Sequence, residues 1–345
     1  MIKNKSMRRV NYIDWMKALG MFFIIWGHLN PEYIKDCIYT FSVPSFFVIS
    51  GFLFKPSDWQ TFCKKNWVGL IVPYILLTTS VILFFAFVKM IFGGLSLSYF
   101  PESFFSCLIG DQNGYGNGIG CQAMWFVYTL FLAKILSNAF YDSWRFQFFI
   151  CVVCWGAAVI LKESGISFYS SYVDLLLAYP FFVFGCFVGS KYKDKLETLA
   201  VRMTKFPKIL VYLSILILLC GLYVLSYYNG MLQMYNADFG RNLFLCLLGG
   251  VVGTILLAII GMLFNNHDYF GIIATHSSGS IITLAWQIVF LFIIDLVLTK
   301  INILNKHDVV LTLLLTICMF GAFVPIIKIV QKHFPILLGF RSRKI

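Results

Sequence analysis

Charge is what this sequence has least of. Only 12% of its 345 residues are charged, against 60% hydrophobic and 18% aromatic, and the mean hydropathy is +0.83. These values lie far outside the soluble globular range and exclude a water-soluble domain as the body of the chain. Acids are scarcer still, 15 against 27 Lys and Arg, for a formal net charge of +12. No interleaving of basic and aromatic residues points to a nucleic-acid groove. Anionic lipid facing the basic loops accounts for the charge, so no nucleic acid is expected as a partner. Other signatures are missing too. No repeat recurs at a fixed period, and no pair of matching broken helices marks an inverted-repeat transporter. GDQNGYGNGIG, with Gly114, Gly116, Gly118 and Gly120, lacks the preceding strand and following helix of a phosphate cradle and is expected to be a flexible outer loop. Ten cysteines lie mostly in apolar stretches. The single CxxC, Cys151 and Cys154, sits inside FFICVVCWGAAVIL and reads as small buried hydrophobes, so no metal is expected. Cys107 and Cys121 lie in or beside the outer loop, where one disulfide could form.

What is present is a series of apolar segments long enough, or nearly so, to cross a hydrocarbon core of about 30 Å at about 1.5 Å per residue. They fall near 13–29, 37–54, 70–92, 123–141, 146–161, 173–190, 208–228, 242–264, 280–299 and 309–331, the fifth being the shortest. The expected fold is an all-α polytopic membrane helix bundle of about ten transmembrane helices, one domain over 1–345. No small-residue cleavage site follows the first apolar run, which is therefore expected to be an uncleaved span rather than a signal peptide. Basic residues in short loops stay cytoplasmic. Lys3, Lys5, Arg8, Arg9, Lys55, Lys64, Lys65, Arg145, the run from Lys191 to Lys205 and the basic C-terminal segment from Lys332 gather on one side. Only Lys35, Lys162, Arg241, Lys300 and Lys306 fall on the other. Both termini are accordingly expected to be cytoplasmic. Gly185 with Gly189 and Gly249 with Gly253 have the spacing of close helix packing in lipid.

The chemistry concentrates in IDWMKALGMFFIIWGHLN. Lys17 and His28 lie eleven residues apart there, roughly three helical turns plus 20°, which puts them on one face about 16 Å apart. Asp14 is three residues before Lys17, within pairing reach. Ionisable groups at membrane depth are costly, so a cluster on one stripe reads as a functional site. His28 alone could be satisfied by a neighbouring helix; the stripe tips it toward a group that accepts and returns a proton. Lys17 could be neutralised by Asp14, or could present its ammonium to a phosphate or carboxylate arriving from the cytoplasm, and both can hold. Span two, FSVPSFFVISGFLFK, has Pro44 in its middle and then Ser50-Gly51. No Gly-x-Ser-x-Gly elbow surrounds Ser50, so packing is the first reading for the pair. Trp125 is an ordinary interfacial tryptophan or, more sharply, a sugar platform. Asp174 and Lys134 lie near predicted span ends and could snorkel or face the bundle. His276 is expected in the inner loop before span nine, in a structural role.

Taken together, Lys17, ten residues, His28, then FSVPSFFVISGFLF resemble acyltransferase family 3, the integral-membrane O-acyltransferases of bacterial surface glycans. KKNWVGLIVPY (64–74), MWFVYTLF (124–131) and DLLLAYPFFVFG (174–185) resemble further segments of that family, so the likeness runs nearly end to end. The resemblance implies transfer of an acyl group, usually acetyl from acetyl-CoA, to a sugar hydroxyl at the bacterial inner membrane. It makes His28 the general base or transient acyl carrier, Lys17 the cationic partner of the donor and Asp14 the group that orients or neutralises Lys17. Ser50, Trp125 and Lys65 are the candidate substrate-binding residues. The expected partners are membrane lipid, an acyl-CoA donor and a glycan or lipid-linked saccharide acceptor. Relatives more often carry Arg at position 17, and often a histidine near Trp286, where this sequence has Gln287. The rival readings are a polysaccharide exporter or flippase without covalent chemistry, and a structural partner in a biosynthetic complex.

Overall fold

A computed structural model describes residues 11–166, 170–265, 267–268, 271–303 and 305–339. Twelve α-helices follow one another among these residues: α1 (Asn11–His28), α2 (Lys35–Phe52), α3 (Trp59–Asn66), α4 (Val72–Phe92), α5 (Tyr99–Ile109), α6 (Trp125–Ala139), α7 (Trp144–Glu163), α8 (Ser171–Arg202), α9 (Lys208–Asn229), α10 (Leu243–Leu263), α11 (Ile272–Lys300) and α12 (Val309–His333). The only β pairing among them is two isolated bridges, Asp111 with Ser170 and Gln233 with Asp238. Lipid offers no hydrogen bonds, so a spanning backbone must satisfy its own, and helices do so within one segment.

Among the described residues seven helices are long and apolar enough to cross a membrane: Trp59–Phe92, which joins α3 to α4, and α7 through α12. By that measure the count is seven rather than the expected ten. The shortfall has a physical reason. α1 and α2, with 18 residues each, carry Asp14, Lys17 and His28 or Lys35 and Asp36, and α6 has only 15 residues. α1 and α2 lie among other helices: α1 touches α2, α10, α11 and α12, and α2 touches α8, α9 and α10. Polar groups there are sheltered by protein rather than by lipid. The terminal basic residues used to orient the bundle, Lys3 to Arg9 and Arg341 to Lys344, lie outside the described residues.

Several boundaries differ from the sequence expectation. The long gap between the third and fourth segments holds α5, whose 11 residues cannot span. The glycine-rich loop after it is tied down rather than flexible. The Tyr115, Asn117 and Ile119 N–H groups donate to Ser106, Glu102 and Ser103 side chains of α5, and a Cβ on Gly120 would stand 2.1 Å from the Gln112 carbonyl oxygen. α8 continues beyond the apolar run through charged KYKDKLETLAVR to Arg202, because those residues are good helix formers in water. α11 begins at Ile272, a full two turns early, so His276 is helical rather than in a loop. Cys107 and Cys121 are buried free thiols, not a disulfide, and Cys151 and Cys154 are buried and free.

The closest contacts centre on α2. A Cβ on Gly51 would stand 2.0 Å from the Phe182 carbonyl oxygen of α8, and one on Gly185 would stand 2.1 Å from the Val48 carbonyl oxygen of α2. Gly189 lies against Phe52 in the same seam, while Gly249 and Gly253 of α10 receive Thr40 and Phe41 of α2. Both glycine pairs therefore pack, as their spacing suggested. Gly51→Ala forces the α2–α8 backbones apart and is expected to cost about 1–3 kcal/mol, read as a lower unfolding temperature in detergent. Gly156→Ala, where nothing lies within 4 Å of an added Cβ, is the control that should show no loss.

Candidate active site

One helical stripe builds the first wall of the site. Lys17, Met21, Ile24 and His28 follow at intervals of four, three and four along α1 and all line a cavity of about 240 Å³. Val43, Phe46 and Ser50 of α2 repeat the pattern opposite, and Trp125, Phe126 and Leu130 of α6 with Ser280, Ile281 and Leu284 of α11 close the space. Ser50 and Gly51 divide the work of their pair. About 100° apart around the axis, Gly51 meets α8 while the Ser50 side lines the cavity.

At His28 the imidazole is fixed by its own helix. Nδ1–H donates to the Ile24 carbonyl at 2.7 Å; a carbonyl can only accept, so the proton sits on Nδ1. The lone pair is then on Nε2, which makes no hydrogen bond among the described residues. This is a tautomer arranged for a base, with a backbone carbonyl in the place a carboxylate takes in other histidine sites.

A second cavity of about 190 Å³ adjoins the first and shares Lys17 and Ser50 with it. Lys55, Lys65 and Lys134 line it with Lys17, and no Asp or Glu does. Among the described residues Lys55, Lys65 and Lys134 make no hydrogen bond or ion pair. The Lys134 ammonium lies in the field of the Lys65 and Lys17 charges. α3 brings Lys65 here. Its N-cap is Asp58, whose carboxylate accepts from the Thr61 N–H at 2.8 Å, and that bond holds the carboxyl below the usual range. A π-helical turn, Trp67–Ile71, then joins α3 to α4 and places Leu70 on the first cavity; such turns recur at functional sites.

A protein-family model, the acyltransferase domain Acyl_transf_3, matches residues 10–330. The chain belongs to this acyltransferase family. It is a multi-pass membrane protein by its apolar helices and its family. No curated protein and no solved structure matches it.

Within this membrane acyltransferase, Lys17, His28, Ser50 and Trp125 line one cavity and Lys65 the next. Asp14 lines neither. It is 7% exposed and accepts a hydrogen bond from the Ser277 hydroxyl of α11. His276 stacks on Phe320 with ring centroids 3.5 Å apart, is 0% exposed, and its Nε2–H donates to the Phe320 carbonyl at 2.9 Å; its place is between helices. Gln287 is buried with neither amide atom bonded among the described residues, and the Trp286 Nε1–H donates to Ser80 at 3.2 Å. Asp174, buried in the first turn of α8, accepts a hydrogen bond from the Gln112 amide and so anchors the glycine-rich loop.

Lys134, for which the sequence leaves snorkelling and facing the bundle both open, faces the bundle and lines the second cavity, a place the sequence does not assign it. A lysine ten residues into an apolar 15-residue helix is too deep to snorkel readily, and that was the available signal. Because Lys134 adds a like charge and leaves no partner behind, Lys134→Met is expected to keep the unfolding free energy of the ligand-free acyltransferase within about 0.5 kcal/mol or raise it. A denaturant titration in detergent measures this, and a clear loss would mean that the ammonium is balanced by a structural anion.

Proposed function

We propose that this acyltransferase moves an acetyl group from acetyl-CoA to a hydroxyl of a cell-envelope glycan or lipid-linked sugar at the bacterial inner membrane. One observation supports the reading: Lys17 and the unbonded Nε2 side of His28 share a cavity, and that cavity adjoins a second one lined by four lysines and by no carboxylate. Four ammonium groups with no lining carboxylate favour a polyanion, as the phosphates of coenzyme A are. The pantetheine arm then follows the α1 stripe, bringing the thioester toward His28, about 16 Å from Lys17 along the helix.

At that end His28 Nε2 takes the proton of the sugar hydroxyl as its oxygen attacks the thioester carbonyl. The tetrahedral intermediate collapses with loss of the C–S bond, and the thiolate leaves with the proton held by the imidazolium. The products are an O-acyl ester and free coenzyme A. If the acetyl first moves to the ring, Nε2 is again the atom that carries it, because Nδ1–H is committed to Ile24. Trp125 offers an aromatic face to the acceptor sugar, Ser50 sits where the two cavities meet, and Lys17 and Lys65 hold the donor. Asp14, beside Lys17 in sequence and bonded to Ser277, keeps the lower part of α1 in register with α11. With the lysine end on the cytoplasmic side, donor loads from the cytoplasm.

His28→Ala is expected to lower transfer from acetyl-CoA by about 10²–10⁴-fold, while Lys17→Ala chiefly raises the KM for the donor. Mass spectrometry of envelope glycans, read for the acetyl mass increment, checks the first in cells, and donor kinetics on purified protein check the second. Glycan acetylation that persists in His28→Ala cells while glycan export fails would favour the exporter or flippase reading instead.

A further inference from the structure

A third cavity, of about 420 Å³, lies beside the lysine-lined one and shares Phe54 and Lys55 with it. It forms where the end of α2 meets α6, α7 and α8. Two polar groups in its wall are buried: Gln147 Oε1, in a residue 3% exposed, has no partner among the described residues, and the Ser137 hydroxyl, in a residue 1% exposed, faces only the Tyr179 hydroxyl. The Gln147 amide nitrogen already donates to the Phe140 carbonyl at 3.0 Å, so the amide is held in one orientation with its oxygen as a spare acceptor. Buried polar atoms are rarely left unbonded, and each one that is calls for an explanation. Tyr141 and Trp144 add aromatic rings to the same wall, and Lys55 and Lys193 add cations. Neither lysine makes a hydrogen bond or ion pair among the described residues.

The chemistry that uses all of these groups is narrow. Aromatic rings take a flat ring, an orphaned carbonyl takes an N–H, a hydroxyl takes a second edge atom, and the lysines take phosphate. A lipid tail has no N–H for Gln147, and a free phosphate has no ring for Trp144. The three cavities also run in series. The third meets the second at Phe54 and Lys55, the second meets the first at Lys17 and Ser50, and the first reaches His28.

We infer that the third cavity binds the purine nucleotide head of the donor. Gln147 Oε1 accepts from the exocyclic amine of the base, Ser137 bonds the ring edge, Trp144 and Tyr141 stack, and Lys55 and Lys193 meet the phosphates. This rests on the acyl-CoA reading above and sharpens it: the protein selects a nucleotide-linked thioester over acyl groups carried on pantetheine alone or on a carrier protein.

Calorimetric titration of the full-length protein in detergent tests this with adenosine 3′,5′-bisphosphate, with 4′-phosphopantetheine and with inorganic pyrophosphate. The bisphosphate is expected to bind more tightly than pyrophosphate. Trp144→Ala and Gln147→Leu are each expected to weaken it by roughly 10-fold, the scale of one stacked base or one hydrogen bond to a buried group, and to leave 4′-phosphopantetheine binding unchanged. Trp144→Phe, which keeps an aromatic face, should restore most of the affinity and guards against a folding defect. Equal binding of bisphosphate and pyrophosphate, or full bisphosphate affinity in both variants, overturns the inference. If the bisphosphate does not bind while His28-dependent transfer from acetyl-CoA proceeds, the nucleotide cavity is wrong and the transfer reading stands. If the bisphosphate binds as described and no thioester supports transfer, the reverse holds.

Discussion

A lysine and a histidine on one helical stripe of a membrane protein can be held only by a helix that touches lipid as little as possible, and the architecture follows from that requirement. α1 meets this by burial on all sides. Its cavity stripe carries Lys17 and His28, while Trp15, Ala18 and Ile25 are buried elsewhere around the same helix. The helices that surround it, α10, α11 and α12, are the long apolar ones that qualify as spans on their own. Polarity is concentrated inside and hydropathy outside, which is why the helices with the weakest membrane signal are the ones at the site.

The second helix turns this shelter into a shaped space. Its backbone meets α8 through Gly51, Gly185 and Gly189, and its other face accepts Gly249 and Gly253 of α10. With α2 pinned from both of those directions, Val43, Phe46 and Ser50 are left to face α1 across a gap rather than to fill it. A small-residue seam is ordinary packing in a membrane protein. Here it also fixes the opposite wall of the cavity.

Hydropathy alone located every long helix, because a stretch that must satisfy its own backbone in lipid announces itself by length and composition. Helical period alone placed Lys17 and His28 on one face, since that needs no knowledge of other helices. What composition could not supply was assembly. Lys134 looked like a residue near a span end, and only the convergence of α1, α3 and α6 makes it one of four cations on a single cavity. Spacing sets Asp14 beside Lys17, and only the fold adds the hydroxyl of Ser277, 263 residues away, as a donor to its carboxylate. The sequence sets His276 in a loop because α11 begins in a polar stretch, THSSGS, whose side chains bond within the helix and to its neighbours. The glycine-rich loop reads as flexible in sequence because its anchors are serines and a glutamate on α5, a helix too short to register in hydropathy.

The separation between lysines and imidazole also bears on why such a site would transfer an acyl group rather than spill it to water. A base that can activate a sugar hydroxyl can activate a water molecule equally well, so selectivity must come from what reaches it. Met21, Ile24, Val43, Phe46, Phe126 and Leu284 line the cavity between Lys17 and His28, and a water held there finds few of the two to four polar partners it needs. The charged head of a donor can be gripped among the lysines without bringing its hydration shell to the thioester. On the proposed reading, an acceptor hydroxyl carried in on a sugar ring then has the advantage over solvent, because stacking on Trp125 supplies the binding energy that a lone water molecule lacks. On that reading, distance along α1 is part of the chemistry: it would keep the polyanion and its water at one end and the reacting carbonyl at the other.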